Sequence, residues 1–315
     1  MNRRPWSPSL PSLLLTLSLL PAACRTAPPA PHRAPLTNLD LPLQALAATF
    51  HGDVGIFVQD LSTGEQLGLA ADEPLPTASL IKLPILAALL AKVERGELDY
   101  HQQLTYTTAR EYAGEDLLGA FADGRQVALA KVAMLMITTS DNTAALWCQE
   151  LAGTGTAIND WLGANGFVHT RVNSRTPGRE AARARFGWGQ TTPREIATLL
   201  RRAHDGALVS PAADEELQRC LARIYWDAEA LAMIPPDVHT LSKQGAVDRS
   251  RSEVVLVDAP HGAYVFAVIT NQQRDTSWGR DNEGFVLLRE VSALLWRHFE
   301  PTRPYVPPAG MQRYW

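Results

Sequence analysis

From about residue 38 to residue 299 the chain switches repeatedly between two hydrophobic periods. In "DVGIFVQDLSTGEQLGLA" (53–70) apolar residues alternate in two short runs around Ser-Thr-Gly, which predicts a β-hairpin. "SLIKLPILAALLAKVE" (79–94) is apolar nearly all round, so it reads as a central, buried helix. "VALAKVAMLMITT" (127–139) predicts a second apolar helix that stops at Ser140-Asp141-Asn142. Asp141 and Asn142 are good N-cap types for the next helical run, "NTAALWCQELA". "TTPREIATLLRRAHDG" (191–206) has Pro193 in its first turn and Gly206 at its end, the usual marks of a bounded helix. Towards the C-terminus "TLSKQGA", "EVVLVDAPHGAYVFAVIT" and "NEGFVLLREVSALLWRHF" predict a strand, a hairpin and a long helix. Strands near both ends with helices between them imply an α+β fold. The terminal segments share one antiparallel sheet, the middle forms a helical lobe, and a site is expected in the crevice between them.

The segments outside this unit have a different texture. Residues 1–24, "MNRRPWSPSLPSLLLTLSLLPAAC", place two arginines before a leucine-rich stretch and then small residues. The stretch is shorter than the roughly 20 apolar residues that cross a bilayer, and its layout is that of a cleaved export signal. Small residues before Cys24 suggest a lipid-modified cysteine and a membrane tether. The other reading is a plain secreted protein in which Cys24 has no role. Residues 25–37, rich in Pro and Ala, read as a linker, residues 38–300 as a catalytic domain, and 301–315 as a Pro-rich surface tail. An exported, periplasmic or cell-surface location is expected. Cys148 and Cys220 lie in apolar helical patterns, where buried free thiols are the default.

With 46% hydrophobic residues in 315, the chain can bury a large core. A net charge of −4 carries no basic footprint, so nucleic acid is not an expected partner. The eight histidines are scattered, without zinc-type spacing, and neither metal nor cofactor is expected. The chain is expected to act as a monomer.

Of 29 basic residues only Lys82, Lys92, Lys131 and Lys243 are lysines. Lys82 stands three residues after Ser79 at a helix start, so both side chains leave on one face. The helix dipole there favours an emerging alkoxide, and burial lowers a lysine's pKa towards that of a usable base. Arginine, which keeps its proton, cannot do this. The tetrapeptide alone is a weak signal, and a capping serine beside a snorkelling lysine is the ordinary alternative. By themselves Ser140-Asp141-Asn142 and Lys243-Gln244-Gly245 are likewise more often a helix cap and a strand end. The three pieces in this order and setting are much harder to obtain by chance.

Ser79-x-x-Lys82, Ser140-Asp141-Asn142 and Lys243-x-Gly245 resemble the signature set of class A β-lactamases and penicillin-binding proteins. The resemblance runs over about residues 40–299. It implies a five-stranded antiparallel sheet with flanking helices beside an all-helical lobe. It further implies that Ser79 is the acylated nucleophile, Lys82 its proton partner, and Ser140 the relay to the departing nitrogen. Asn142 would hold Lys82 and the substrate amide, and Lys243 would attract the substrate carboxylate. The N–H groups of Ser79 and Ala246 would form the oxyanion hole. The implied ligand is a β-lactam or a D-Ala-D-Ala peptide.

Two parts of the chain depart from that pattern, the loop before the "TTP" helix and Gln244. The loop glutamate that activates water in class A enzymes falls on Thr176, and the Arg–Asp pair that clasps the loop falls on Ser174 and Gly189. Glu180, where the family has an asparagine, is a candidate substitute base; the plainer alternative is a solvated glutamate beside Arg179 and Arg183. Gln244 replaces a Thr or Ser hydroxyl. The acylation parts are therefore complete and the deacylation part is altered, so easy acylation with slow or differently catalysed release is expected unless Glu180 compensates. The leading expectation is a β-lactam-hydrolysing serine enzyme; the alternatives are a D-Ala-D-Ala peptidase and a non-turnover binding protein that captures β-lactam or wall peptide. A purely structural lipoprotein is disfavoured, because Lys82 and Ser140 would then have no reason to be so placed.

Overall fold

A computed structural model describes residues 34–311. The expected export signal, Cys24 and most of the expected linker lie outside the described residues, as do the last four residues of the expected tail. Leu36 is already buried, in a short 3-10 turn (Leu36–Leu39) leading into α1 (Asp40–Ala48), so core packing begins inside the segment read as linker.

The expected hairpin is β1 (Asp53–Asp60) and β2 (Gln66–Leu69). A 3-10 turn (Ala78–Ile81) then feeds α2 (Lys82–Glu94), followed by α3 (Leu129–Thr138), α4 (Asn142–Leu151) and α5 (Thr154–Ala164). After a loop come α6 (Glu180–Phe186), α7 (Pro193–His204) and α8 (Pro211–Leu221). The chain closes with β3 (Thr240–Val247), β4 (Ser250–Val257), β5 (Tyr264–Asn271) and α9 (Glu283–Phe299). The five strands make one antiparallel sheet in the order β2-β1-β5-β4-β3, the expected α+β architecture.

Register decides which way the site residues point. Lys243 pairs with Val254, Val254 with Ala267, and Ala267 with Phe57, so these four share one face of the sheet. Val254, Ala267 and Phe57 belong to the core shared with the helical lobe, and Lys243 is the edge-strand member of that row. The next row, Gln244–Glu253–Val268–Ile56, lies on the opposite face, where Ile56 and Val268 join the core that includes α9. The row after it returns Gly245 to the lobe side. Lys243 and Gly245 therefore face the lobe, while Gln244, between them on the edge strand, belongs to the row of the opposite face.

The lobe is built around α2, whose residues Lys82–Ala91 are all buried, as its unbroken apolar sequence requires. Thr192 caps α7 by accepting from the Glu195 N–H. The Glu195 carboxylate accepts from the N–H groups of Val168, His169 and Thr170 and pins the start of the loop that runs to residue 190. Cys148 and Cys220 are free, buried thiols, and burial pushes Cys220 up to about 12.

Candidate active site

The expected helix over 79–94 has a tighter first turn than its sequence shows: Ala78–Ile81 is 3-10, and α2 proper starts at Lys82. In 3-10 geometry i and i+3 eclipse, which lays Ser79 directly beside Lys82. Lys82 Nζ is 3.0 Å from Ser79 Oγ, 3.0 Å from Ser140 Oγ and 2.8 Å from Asn142 Oδ1, and it also donates to the Ser140 carbonyl. The carbonyl and the amide oxygen can only accept, whereas both hydroxyls can also donate. A neutral amine can give its two N–H groups to the two obligate acceptors and offer its lone pair to one of the two serine hydroxyls at a time. Burial drives the Lys82 amine down to about 7, against the opposing fields of Asp141 and Glu115.

Backbone strain sits next to the chemistry. Ala78 and Ser140 are non-glycine residues in the left-handed region, at φ +43° and +62°. Asp141 holds the Ser140 turn by accepting from the N–H groups of Ala144, Leu117 and Leu118, so it caps α4 and fastens the 112–118 loop at once. Asn142 N–H donates to the Glu115 carbonyl at 2.6 Å, and Tyr112 N–H to Thr143 Oγ1 at 2.8 Å. Asp141 is thus the structural member of its triplet, leaving Ser140 and Asn142 facing the lysine.

Lys243 reaches the same hydroxyl from the sheet side, with its Nζ 3.2 Å from Ser140 Oγ. Two amines therefore converge on Ser140. Burial, and then the neighbouring Lys82 charge, hold Lys243 well below the ordinary lysine range. Lys243 also donates to the carbonyl and side-chain oxygens of Gln244. With its oxygen committed to the amine, Gln244 keeps its NH₂ as a donor at the cavity wall. On the far face, fully buried Glu253 accepts from Ser242 Oγ and Ala230 N–H; burial and the adjacent Glu229 carboxylate raise its pKa.

Gly245 lies against the 3-10 turn. A Cβ there would stand 2.6 Å from the Thr77 carbonyl oxygen, 2.8 Å from Ser252 Oγ and 2.9 Å from the Ser79 nitrogen. The edge strand and the serine turn touch backbone to backbone, which brings Ser79 N–H and the strand carrying Ala246 to one place.

These residues open on a cavity of about 970 Å³, near the upper end for small-molecule sites. Ser79, Ser140, Asn142, Gln244 and Ala246 line it, with an aromatic wall of Tyr112, Phe186, Trp188, Trp226, Trp278 and Phe285. Arg185, Arg249, Arg280 and Arg289 also line it, against the carboxylates of Glu115 and Glu229. Neither the aromatic wall nor the arginines belong to a short motif, and they come from six separate segments, so reading along the chain misses them. Trp188 and Tyr112 meet edge to face at 5.2 Å.

The structure does not bring Glu180 to this cluster. It is exposed at the start of α6, accepts from Gly178 N–H at 3.0 Å, and is not among the described residues that line the cavity. Thr176 is buried and donates its hydroxyl to the Ser174 carbonyl. The loop is clasped without an Arg–Asp pair: Ser174 and Gln149 exchange two buried hydrogen bonds, and Arg179 joins Asn173 to Gln190.

Comparison with known proteins agrees with this geometry. The model of the β-lactamase enzyme family matches residues 38–299. A Streptomyces fradiae β-lactamase is 30% identical over 230 residues, covering 70% of this chain and 74% of that one. A stretch of 114 residues is 38% identical to the β-lactamase regulatory protein BlaB of Streptomyces cacaoi, covering 35% of this chain and 36% of that protein. Among solved structures, PBP-A superposes with a TM-score of 0.75 at 28% identity, covering 86% of this chain and 99% of that one. A mutant of PBP-A has been captured as an acyl-enzyme complex with penicillin G.

Proposed function

The chain belongs to the β-lactamase enzyme family, and we propose that within it this protein is a serine acyl-enzyme hydrolase that opens β-lactam amides through an ester on Ser79. The observation that carries this reading is the Lys82 amine, buried and 3.0 Å from each of the Ser79 and Ser140 hydroxyls, where burial lowers its pKa towards that of a usable base.

Ser79 Oγ attacks the amide carbon while its proton passes to neutral Lys82. The N–H groups of Ser79 and Ala246 hold the resulting oxyanion; one such donor is typically worth about 10²–10³ in rate. The C–N bond then breaks as Ser140 gives its proton to the departing nitrogen, and the protonated lysine replenishes Ser140. Lys243, the Gln244 NH₂ and the surrounding arginines favour a ligand with a carboxylate, a feature common to β-lactams and D-Ala-D-Ala peptides.

Release is the step that separates the readings. No carboxylate of the 173–188 loop is among the described residues lining the cavity, which favours slow hydrolysis and keeps a second reading, a D-Ala-D-Ala peptidase or β-lactam-capturing sensor, in contention. Intact-mass spectra after mixing with penicillin G, followed over time, test both. An adduct on the peptide containing Ser79 that appears and decays supports a hydrolase; a persistent one supports the second reading; none sinks them together. Glu180→Gln is expected to leave the decay rate unchanged, and a slower decay would restore Glu180 as a base. An exported location, with Cys24 as a tether, accompanies the proposal on the strength of the N-terminal sequence and is tested by membrane fractionation of a Cys24→Ala variant.

A further inference from the structure

The loop that ends at Trp188 delivers an aromatic ring where a water-activating group would be needed. The Trp188 carbonyl accepts from Asn173 N–H at 2.7 Å and from Ser174 N–H at 3.0 Å, so the returning strand is locked to the outgoing one. The next residue, Gly189, lies so close to the serine turn that a Cβ would stand 2.5 Å from Ile81 Cδ1 and 2.8 Å from Thr77 Oγ1. Anchored on both sides, the indole sits over the lysine, its centroid 6.0 Å from Lys82 Nζ. Tyr112, from the lobe wall, braces it edge to face.

The threonine of the same loop, Thr176, faces elsewhere. Thr176 Oγ1 is spent on the Ser174 carbonyl, and the side chain packs on Gly155, where a Cβ would fall 1.8 Å from that hydroxyl oxygen. An ordered water needs two to four polar partners, and an indole face supplies none of ordinary strength. From the loop side, then, the Lys82 amine meets an aromatic face, and no carboxylate of that loop is among the described residues lining the cavity.

We infer that Trp188, braced by Tyr112, sets the lifetime of the Ser79 ester by occupying the loop-side approach to its carbonyl carbon and keeping water from it. The inference rests on the acyl-enzyme reading above. The blocked step is addition of water to the ester, which returns the acid and frees the Ser79 hydroxyl. Formation of the ester uses Lys82, Ser140 and the oxyanion donors, and is a separate step that can be timed separately.

Separate measurement of acylation and release by time-resolved mass spectrometry with penicillin G provides the test. Trp188→Ala is expected to release the acyl group on the order of 10-fold faster or more, below the about 10²–10⁴ that a complete general base provides, with release read separately from acylation. Trp188→Phe should fall between it and the parent. Tyr112→Ala, which removes only the brace, should also speed release. Equal release rates in the parent and in a Trp188→Ala protein that still acylates overturn the inference. If Trp188→Ala fails to fold, Trp188→Phe and Tyr112→Ala decide, and unchanged release in both overturns it. No adduct in the parent protein is a different failure, because it removes the acyl-enzyme reading itself.

Discussion

Lys82→Met is expected to slow acylation of Ser79 by penicillin G by about 10²–10⁴, the usual cost of losing a general base, while the folded cavity still takes up ligand. Methionine preserves the length and apolar character of the stem, so α2 keeps its packing, while the amine is lost together with its contacts to Ser79, Ser140 and Asn142. The pH dependence sharpens the test. In the parent protein acylation should rise through about pH 7 and level off above it, because only the neutral amine can accept the serine proton. A rate that is flat from two units below that value to two units above excludes Lys82 as the base. Stability should carry the same signature. The folded-state pKa lies below the ordinary lysine value of 10.5, so between about pH 7 and that value the unfolded chain binds more protons than the folded one. Folding of the parent relative to Lys82→Met should therefore become more favourable as pH climbs through this window, and the burial penalty should be fully present below it. Chemical denaturation at several pH values reads this directly.

How much of this was legible in the chain depends on whether a feature is local. The β1–β2 hairpin, α2, α3, α7, the β3–β5 strands and α9 all announce themselves through period and caps, because each exposes one face to a core and its ends to turn-forming residues. Ser79 and Lys82 were visible as a pair for the same reason: three residues of spacing fix their geometry whatever the rest of the chain does. The 3-10 form of that turn does not show in its residues, and neither does its close contact with β3, a segment far away along the chain. Glu180 illustrates the opposite case. Counting along a loop identifies the residue nearest a family position, but the loop's path, set by Trp188, Arg179 and the Gln149–Ser174 pair, turns that carboxylate outward.

Burial also explains the chain's use of arginine and lysine. The four cavity arginines are half-buried or exposed, and guanidinium keeps its charge in such places. Lys82 and Lys243 are fully buried, each against an opposing carboxylate field, and both converge on Ser140. An arginine at either position would be a permanent cation that can neither accept nor return a proton. Lysine there is a chemical choice, and arginine on the walls an electrostatic one.

The second large effect concerns a residue with no side chain. Gly245→Val should abolish detectable acylation of Ser79 while leaving most of the fold intact. Valine must place its Cβ within 2.9 Å of three atoms, two of them backbone atoms of the serine turn, and backbone cannot swing aside as a flexible side chain does. Either β3 moves off the turn or the turn moves off α2, and both separate Ser79 N–H from the strand bearing Ala246. Overpacking of this kind typically costs about 1–3 kcal/mol, which a domain with two extensive cores tolerates, so the thermal midpoint should fall by only a few degrees. The loss in rate should be far larger, because displacing one oxyanion donor alone removes about 10²–10³ and the Lys82–Ser79 contact is disturbed with it. Gly245→Ala, with the same Cβ and no branches, should acylate measurably but slowly. If Gly245→Val folds and acylates at the parent rate, the serine turn and the edge strand do not form the oxyanion site together, and the geometry assigned to the reaction is wrong at its centre.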